Sequence, residues 1–192
     1  TSGGALAGVS VVLGDGTIDG RATADVASVS ATGYNRPEDL EVKTLANGDQ
    51  VIYFTTTDSD NNGSTTDGRS RVYTLNVDTA EVKLFADSTF KDLATGAAVG
   101  GGFRNADNLA IDAAGNVYII EDRDGAVDDD IWFAKDINHD GDLLDEGEGL
   151  ARWASNGTPG SEFTGLYFDK FNPNRAFVNI QHPNDLNDRT LM

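Results

Sequence analysis

Three stretches of the chain repeat one plan, a polar opening that runs into a short apolar strand. They are Arg36-Pro37-Glu38-Asp39-Leu40-Glu41-Val42, Asn105-Ala106-Asp107-Asn108-Leu109-Ala110-Ile111 and Glu162-Phe163-Thr164-Gly165-Leu166-Tyr167-Phe168. After each comes a short turn and an aromatic β-run: Val51-Ile52-Tyr53-Phe54, Val117-Tyr118-Ile119-Ile120 and Ala176-Phe177-Val178-Asn179-Ile180. Superposing the copies places Glu38, Asp107 and Thr164 at one position, and Arg36, Asn105 and Glu162 at another. Strands that each offer one oxygen ligand from the same edge assemble a metal site around an axis.

The strand pattern around these repeats is that of successive antiparallel modules. Leu40 to Thr44, Val51 to Thr56, Arg71 to Asn76 and Glu81 to Ala86 form four short runs rich in Val, Ile, Tyr, Thr and Phe. Asn47-Gly48-Asp49, the loop 58–70 and Asp78-Thr79 separate them with turn formers. A second set comprises Leu109 to Asp112, Asn116 to Glu121, Asp130 to Lys135 and Leu150 to Ala154, with Ala113-Ala114-Gly115-Asn116 as its tight inner turn. A third set starts at Phe163 and is half made where it ends near Pro183. Four such strands make one propeller blade. The sequence therefore predicts an all-β fold, a partial β-propeller of about two and a half four-stranded antiparallel blades over residues 34–192. The rival architecture is a β-sandwich. Residues 1–33 read as a connecting segment with one strand at Val9 to Leu13, and Ser88 to Leu93 as a short helical turn. Open blades leave sheet edges and faces to cover, so the chain reads as a piece of something longer, completed by further blades of the same protein or by another chain. Tyr53, Tyr118, Phe177, Trp132 and Trp153 are assigned to the core.

Composition removes several function classes. The chain has 192 residues, with 32 acidic against 14 basic side chains and a net charge of −18. No Lys/Arg cluster offers nucleic acid a basic face, and no apolar run is long enough for a membrane helix. With no cysteine, disulfides, thiolate metal sites and cysteine nucleophiles are excluded within this chain. There is no Gly-x-Ser-x-Gly elbow, and Gly100-Gly101-Gly102 lacks the lysine of a phosphate-binding loop.

Acidic loops point to cations instead. Asp136-Ile137-Asn138-His139-Asp140-Gly141-Asp142 carries oxygen ligands at alternate positions, with glycine where a sharp turn is needed. That is the opening half of an EF-hand type calcium loop. Its usual closing glutamate is displaced, leaving Asp145 or Glu148 to serve, while His139 is read as facing solvent. The competing reading is a plain acidic hairpin loop. Asp58-Ser59-Asp60-Asn61-Asn62-Gly63 is a weaker run of the same kind, and Asp122, Asp124 and Asp128-Asp129-Asp130 form a third acidic group beside Glu121.

The repeats and the ending together resemble the PhoX family of bacterial alkaline phosphatases. Arg36-Pro37-Glu38 is similar to its Arg-Pro-Glu segment, and Asp107-Asn108-Leu109 stands where it has Pro-Asp-Gly before an apolar strand. Glu162-Phe163-Thr164-Gly165-Leu166 and Phe177-Val178-Asn179-Ile180-Gln181-His182-Pro183 resemble its Glu-x-Thr-Gly and Val-Asn-Ile-Gln-His-Pro signatures. The resemblance implies a six-bladed propeller with calcium and iron at its axis and hydrolysis of phosphomonoesters, in a secreted, periplasmic or cell-surface bacterial protein. It implies that Arg36 holds the substrate phosphate, and that Glu38, Asp107 and Glu162 are metal ligands. Glu121 is either a further ligand or a buried hydrogen-bond partner. The family also uses a cysteine and a glutamate from upstream blades, so Ca2+ is expected here and Fe3+ only with those blades present. A calcium-dependent propeller lactonase or esterase, and a non-catalytic calcium-binding propeller module, are the alternatives.

Overall fold

The computed structural model describes residues 34–57, 70–123, 129–158, 160–183 and 188–192. The segment 1–33 and the Asp58–Gly63 run therefore lie outside the described residues. The strands form three antiparallel sheets in chain order. The first contains β1 (Pro37–Thr44), β2 (Gln50–Thr56), β3 (Arg71–Asn76) and β4 (Val82–Asp87). The second contains β5 (Ala106–Ile111), β6 (Val117–Glu121), β7 (Asp130–Lys135) and β8 (Gly149–Ser155). The third contains β9 (Glu162–Phe168), β10 (Ala176–Gln181) and β11 (Arg189–Leu191). Within each sheet every strand pairs with its neighbour in sequence, and no sheet closes on itself.

Strand alternation explains the order of the sheets. All five residues of β6 are buried, which a strand achieves only when both its faces are covered. Val117 and Ile119 point into a core shared with Tyr53, Val72 and Phe85 of the first sheet. Tyr118 and Ile120 point the other way, into a core with Phe163, Leu166 and Ile180 of the third. The second sheet is thus the middle layer of a stack, and the leading strands β1, β5 and β9 lie side by side across it.

The same polar stitches join both pairs of sheets. Ser70, just before β3, accepts a hydrogen bond from the Ala106 backbone at 2.6 Å; Asp129, just before β7, accepts one from Phe163 at 3.1 Å. Asp39 accepts from the Leu109 backbone at 2.8 Å, and Asn108 from Gly165 at 3.2 Å. Each stitch gives a backbone N–H lost from the strand ladder a partner. Pro37 occupies the position of Ala106 and Phe163 and has no N–H to give, while Leu40 bonds the carboxylate of its own neighbour Asp39 at 2.8 Å.

The first sheet carries an apolar face that stays part-exposed among the described residues. Leu40, Phe54, Tyr73 and Leu84 run across all four strands in register, as do Val42, Ile52, Leu75 and Val82. Leu40 is 59% exposed and Val42 56%, with Tyr34 set edge-on against Phe54 and Tyr73.

Several expectations change. β1 and β5 start three residues earlier than the alternation predicts, because a bulge between Pro37 and Leu40, and between Ala106 and Asn108, breaks the period of two. The third sheet extends past Pro183, since Arg189–Leu191 pairs with β10. Ser88 to Leu93 is not helical: the Asp87 carboxylate accepts from the backbone and hydroxyl of Thr89, holding the chain in a turn. Trp153 is 46% exposed on the outer strand β8, and Phe177 is only half-buried; Tyr53, Tyr118 and Trp132 are core.

Two-sided burial sets a contrast between positions. Ile119→Ala is expected to cost about 2–5 kcal/mol, whereas Val42→Ala on the part-exposed face costs less than about 0.5 kcal/mol. Urea unfolding of both variants measures it, and equal losses would contradict the layered arrangement.

Candidate functional site

The leading strands enter their sheets through a strained turn that occurs twice. Arg36 and Asn105 precede the first and second sheets with φ of 43° and 47°, a region that L-residues with a Cβ rarely occupy. The cost is about 1–3 kcal/mol per residue. In each case the carbonyl is held by the residue leaving the second strand: Thr57 N–H donates to Arg36 O at 3.0 Å and Asp122 N–H to Asn105 O at 2.9 Å. The consequence is that the side chains at 36, 38 and 107 are presented at one end of the stack.

Arg36 points its guanidinium at Glu38, with Nη2 at 2.9 Å and Nε at 3.0 Å from Oε1. The pair is part-exposed, with the Arg36 side chain 40% accessible. Asp107 lies behind it. Its carboxyl is pushed up to about 6, first by desolvation, then by the Asp122 and Glu38 carboxylates; Thr57 and Arg36 oppose the shift. Thr57 Oγ1 is a distant donor at 3.4 Å, its shorter bond going to the Ala106 carbonyl at 2.7 Å. Arg36, Glu38, Asp107 and Asp122 thus act on one another, although 36–38 and 107–122 belong to different sheets.

Glu162 stands with other partners. At the head of β9, its Oε1 meets Gln181 Nε2 and lies 3.5 Å from Nε2 of His182, which has φ of 55°. Thr164 holds the place of Glu38 and Asp107 and pairs with Asn179. Glu121 is fully buried, and both carboxylate oxygens are engaged. Oε1 accepts from the Arg104 backbone at 2.8 Å, Arg123 Nη2 at 2.9 Å and Trp132 Nε1 at 2.9 Å; Oε2 accepts from the Asp130 backbone at 3.0 Å. Desolvation still raises it to about 7, against the pull of Arg123 and these donors. Of its two sequence readings, the hydrogen-bond hub describes this geometry. The neighbouring acidic group is neutralised locally, Asp130 by Arg152 at 2.8 Å and by Arg123 at 3.9 Å. Asp124 and Asp128 lie outside the described residues.

Residues 136–148 make a compact loop between β7 and β8. Asp136 accepts backbone hydrogen bonds from Asp140 and Gly141, each at 3.2 Å. Asn138 Nδ2 donates to Asp140 at 2.9 Å and Asp145 at 2.7 Å. Asp142 accepts from the Leu144 backbone at 3.0 Å. Glu148 closes the loop, accepting from Ile137 at 2.8 Å and Asp145 at 3.1 Å. His139, read as facing solvent, is half-buried with Nδ1 3.2 Å from Lys43 Nζ. Sequence reasoning missed Lys43, Thr57 and Ser70 as site-shaping residues, and placed Asp129 in an acidic group without its bond to Phe163. Ser70 and Asp129 carry a readable signal, a polar residue immediately before each third strand.

The donor set at the stack's end suits a hard cation in one respect. Asp107 is a half-buried carboxylate crowded by two others and short of close donors, the condition that a divalent ion relieves. Glu38 is one of the two carboxylates that act on Asp107, while Glu162 keeps its own partners. Among the described residues, no three acidic or histidine side chains converge closely enough to hold a metal as placed.

Compared with families of known proteins, the chain matches the model of alkaline phosphatase PhoX over residues 13–184. No curated protein and no solved structure gives a significant match.

Asp129 provides a titration test of the stitch between sheets. Desolvation raises its carboxyl from 3.8 to about 6, against backbone hydrogen bonds from Arg123 and Phe163. The folded chain therefore holds a proton that the unfolded chain has released. Its contribution is complete below about pH 4 and declines as pH rises to about 6. Stability measured relative to Asp129→Asn is expected to fall over that window and then level off. Parallel pH curves for the two proteins would remove this residue from the account.

Proposed function

The chain belongs to the PhoX alkaline phosphatase family, and on that premise we propose that it forms part of a metal-dependent phosphomonoesterase, with Arg36 as the phosphate ligand. One observation carries the reading: a strained turn holds a part-exposed arginine against Glu38, beside the desolvated carboxyl of Asp107. Arg36 offers a planar fork of donors that matches two phosphoryl oxygens. Its pairing with Glu38 fixes the fork's direction before substrate arrives, so less orientational freedom is lost on binding. Asp107, titrating near 6, is ionised in neutral and alkaline solution.

Glu38 and Asp107 are the residues that would hold calcium at this end, with Glu162 joining them once it leaves Gln181 and His182. The ion would supply positive charge to balance the negative charge developing on the phosphoryl oxygens. Iron belongs to the reading only when the upstream cysteine and glutamate are supplied. The recurrence of one inter-sheet stitch supports a propeller, and the part-exposed apolar face of the first sheet supports a preceding blade stacked there. An acidic surface and calcium-type loops favour an exported setting. No helix among the described residues is long and apolar enough to cross a membrane.

Two measurements on the chain test this without requiring turnover. In calcium, anomalous scattering should place an ion within bonding distance of Glu38 and Asp107. Inorganic phosphate should bind calorimetrically, and Arg36→Ala should weaken that binding about tenfold or more. An ion absent from this position, together with phosphate binding indifferent to Arg36, would leave the lactonase and non-catalytic readings standing.

A further inference from the structure

The loop between β7 and β8 lies away from the stack's leading-strand end and gathers acidic side chains of its own. The loop holds Asp136, Asp140, Asp142, Asp145, Glu146 and Glu148 within thirteen positions of sequence. An acidic loop alone is commonly no more than a solvated turn. Here a separate element of the fold, the core of the first sheet, bears on it as well.

Tyr53, on β2, is wholly buried, and its hydroxyl has no hydrogen-bond partner. It ends beneath the loop: a Cβ added to Gly141 would lie 3.7 Å from Oη. Burial first, and then the Asp136 and Asp140 charges, hold the ionisation of this phenol well above the usual tyrosine range. A buried hydroxyl with no partner costs about 1–3 kcal/mol. Two carboxylates lie in its neighbourhood, yet neither accepts from it. Asp136 is turned toward the Asp140 and Gly141 backbone and toward Lys43, 3.4 Å away. Asp140 is turned toward Asn138.

A neutral group bridges the acidic side chains inside the loop. The Asn138 amide sits between Asp140 and Asp145, giving two hydrogen bonds where several negative charges meet. Lys43 answers one charge from beneath. Gly141, at φ of 88°, makes the sharp bend that brings the ends together, and a side chain there would press on Leu45.

We propose that residues 136–148 bind one divalent cation of calcium size, with Asp136, Asp140, Asp142 and Glu148 as carboxylate ligands and Asn138 turned to offer its carbonyl oxygen. On loading, a carboxylate of Asp136 or Asp140 reorients, and Tyr53 Oη–H donates to the oxygen left free. Calcium is favoured over magnesium because this ligand set is rich in oxygens and irregular, whereas magnesium demands a strict octahedron and keeps its waters. The site stands whether or not the leading-strand end binds metal or phosphate.

Calcium alone, titrated calorimetrically into the 192-residue chain, is the test. Asp107→Asn is carried alongside, so that an ion at the leading-strand end is counted separately. One binding event should survive Asp107→Asn and weaken about tenfold or more in Asp140→Ala and in Asp142→Ala. Tyr53→Phe should weaken it by about three- to tenfold, the worth of one hydrogen bond. Circular dichroism of each variant in chelator checks that the fold is retained. Absence of calcium uptake in the Asp107→Asn protein, or uptake there that ignores Asp140→Ala and Asp142→Ala, overturns the proposal.

Discussion

The structure depends on a sheet that has no outside. Because β6 is buried along its whole length, the second sheet can exist only with a layer on each side, and its alternate residues divide between two cores. Each fully covered aliphatic side chain contributes about 1.5–3 kcal/mol. Stacked sheets also hide backbone groups that cannot reach water. The stitches from Ser70, Asp129, Asp39 and Asn108 answer that need with side-chain oxygens. Apolar area supplies the attraction, and the stitches set the register at which one layer meets the next.

The same constraint places the functional end. A leading strand that must stay in register with its neighbour, yet start outside its own sheet, enters through a tight turn. That turn forces Arg36 and Asn105 into the left-handed region. Strain and chemistry therefore share one location. The residues that gather charge there, Arg36, Glu38, Asp107 and Asp122, belong to two layers and meet only through the stacking. Evolution can change what such a cluster binds by altering these side chains while leaving the layers intact.

Much of this was legible in the chain. The triplicate opening and the aromatic runs located six of the strands to within a few residues, and the β-branched and aromatic runs between turn formers located four more. The bulges hid the true starts of β1 and β5, since an extra residue scrambles alternation where the functional side chains lie. β11 was missed because all three of its residues are exposed, leaving no apolar pattern to read. The site was half legible. Motifs pointed to Arg36, Glu38 and Asp107, which the structure brings within electrostatic reach of one another. Glu162 was drawn from the same alignment but faces Gln181 and His182, a preference that depends on β10 and not on the repeat. Glu121, at the end of β6, was left between ligand and buried hydrogen-bond partner, and burial beside Trp132 and Arg123 gives its oxygens those hydrogen bonds. Such tertiary neighbours leave no trace in local spacing.

Pro37 alters the character of the outermost joint. Where Ala106 and Phe163 each extend an amide to the layer before them, Pro37 extends none, and the Leu40 amide is already satisfied by Asp39. A layer covering the aliphatic ladder of Leu40 and Val42 would meet no free amide from Pro37 or Leu40. Its grip would come chiefly from dehydration, which carries a negative heat-capacity change and is little weakened by salt. Such a seam holds by area and is indifferent to small sideways slips, whereas the inner seams are keyed.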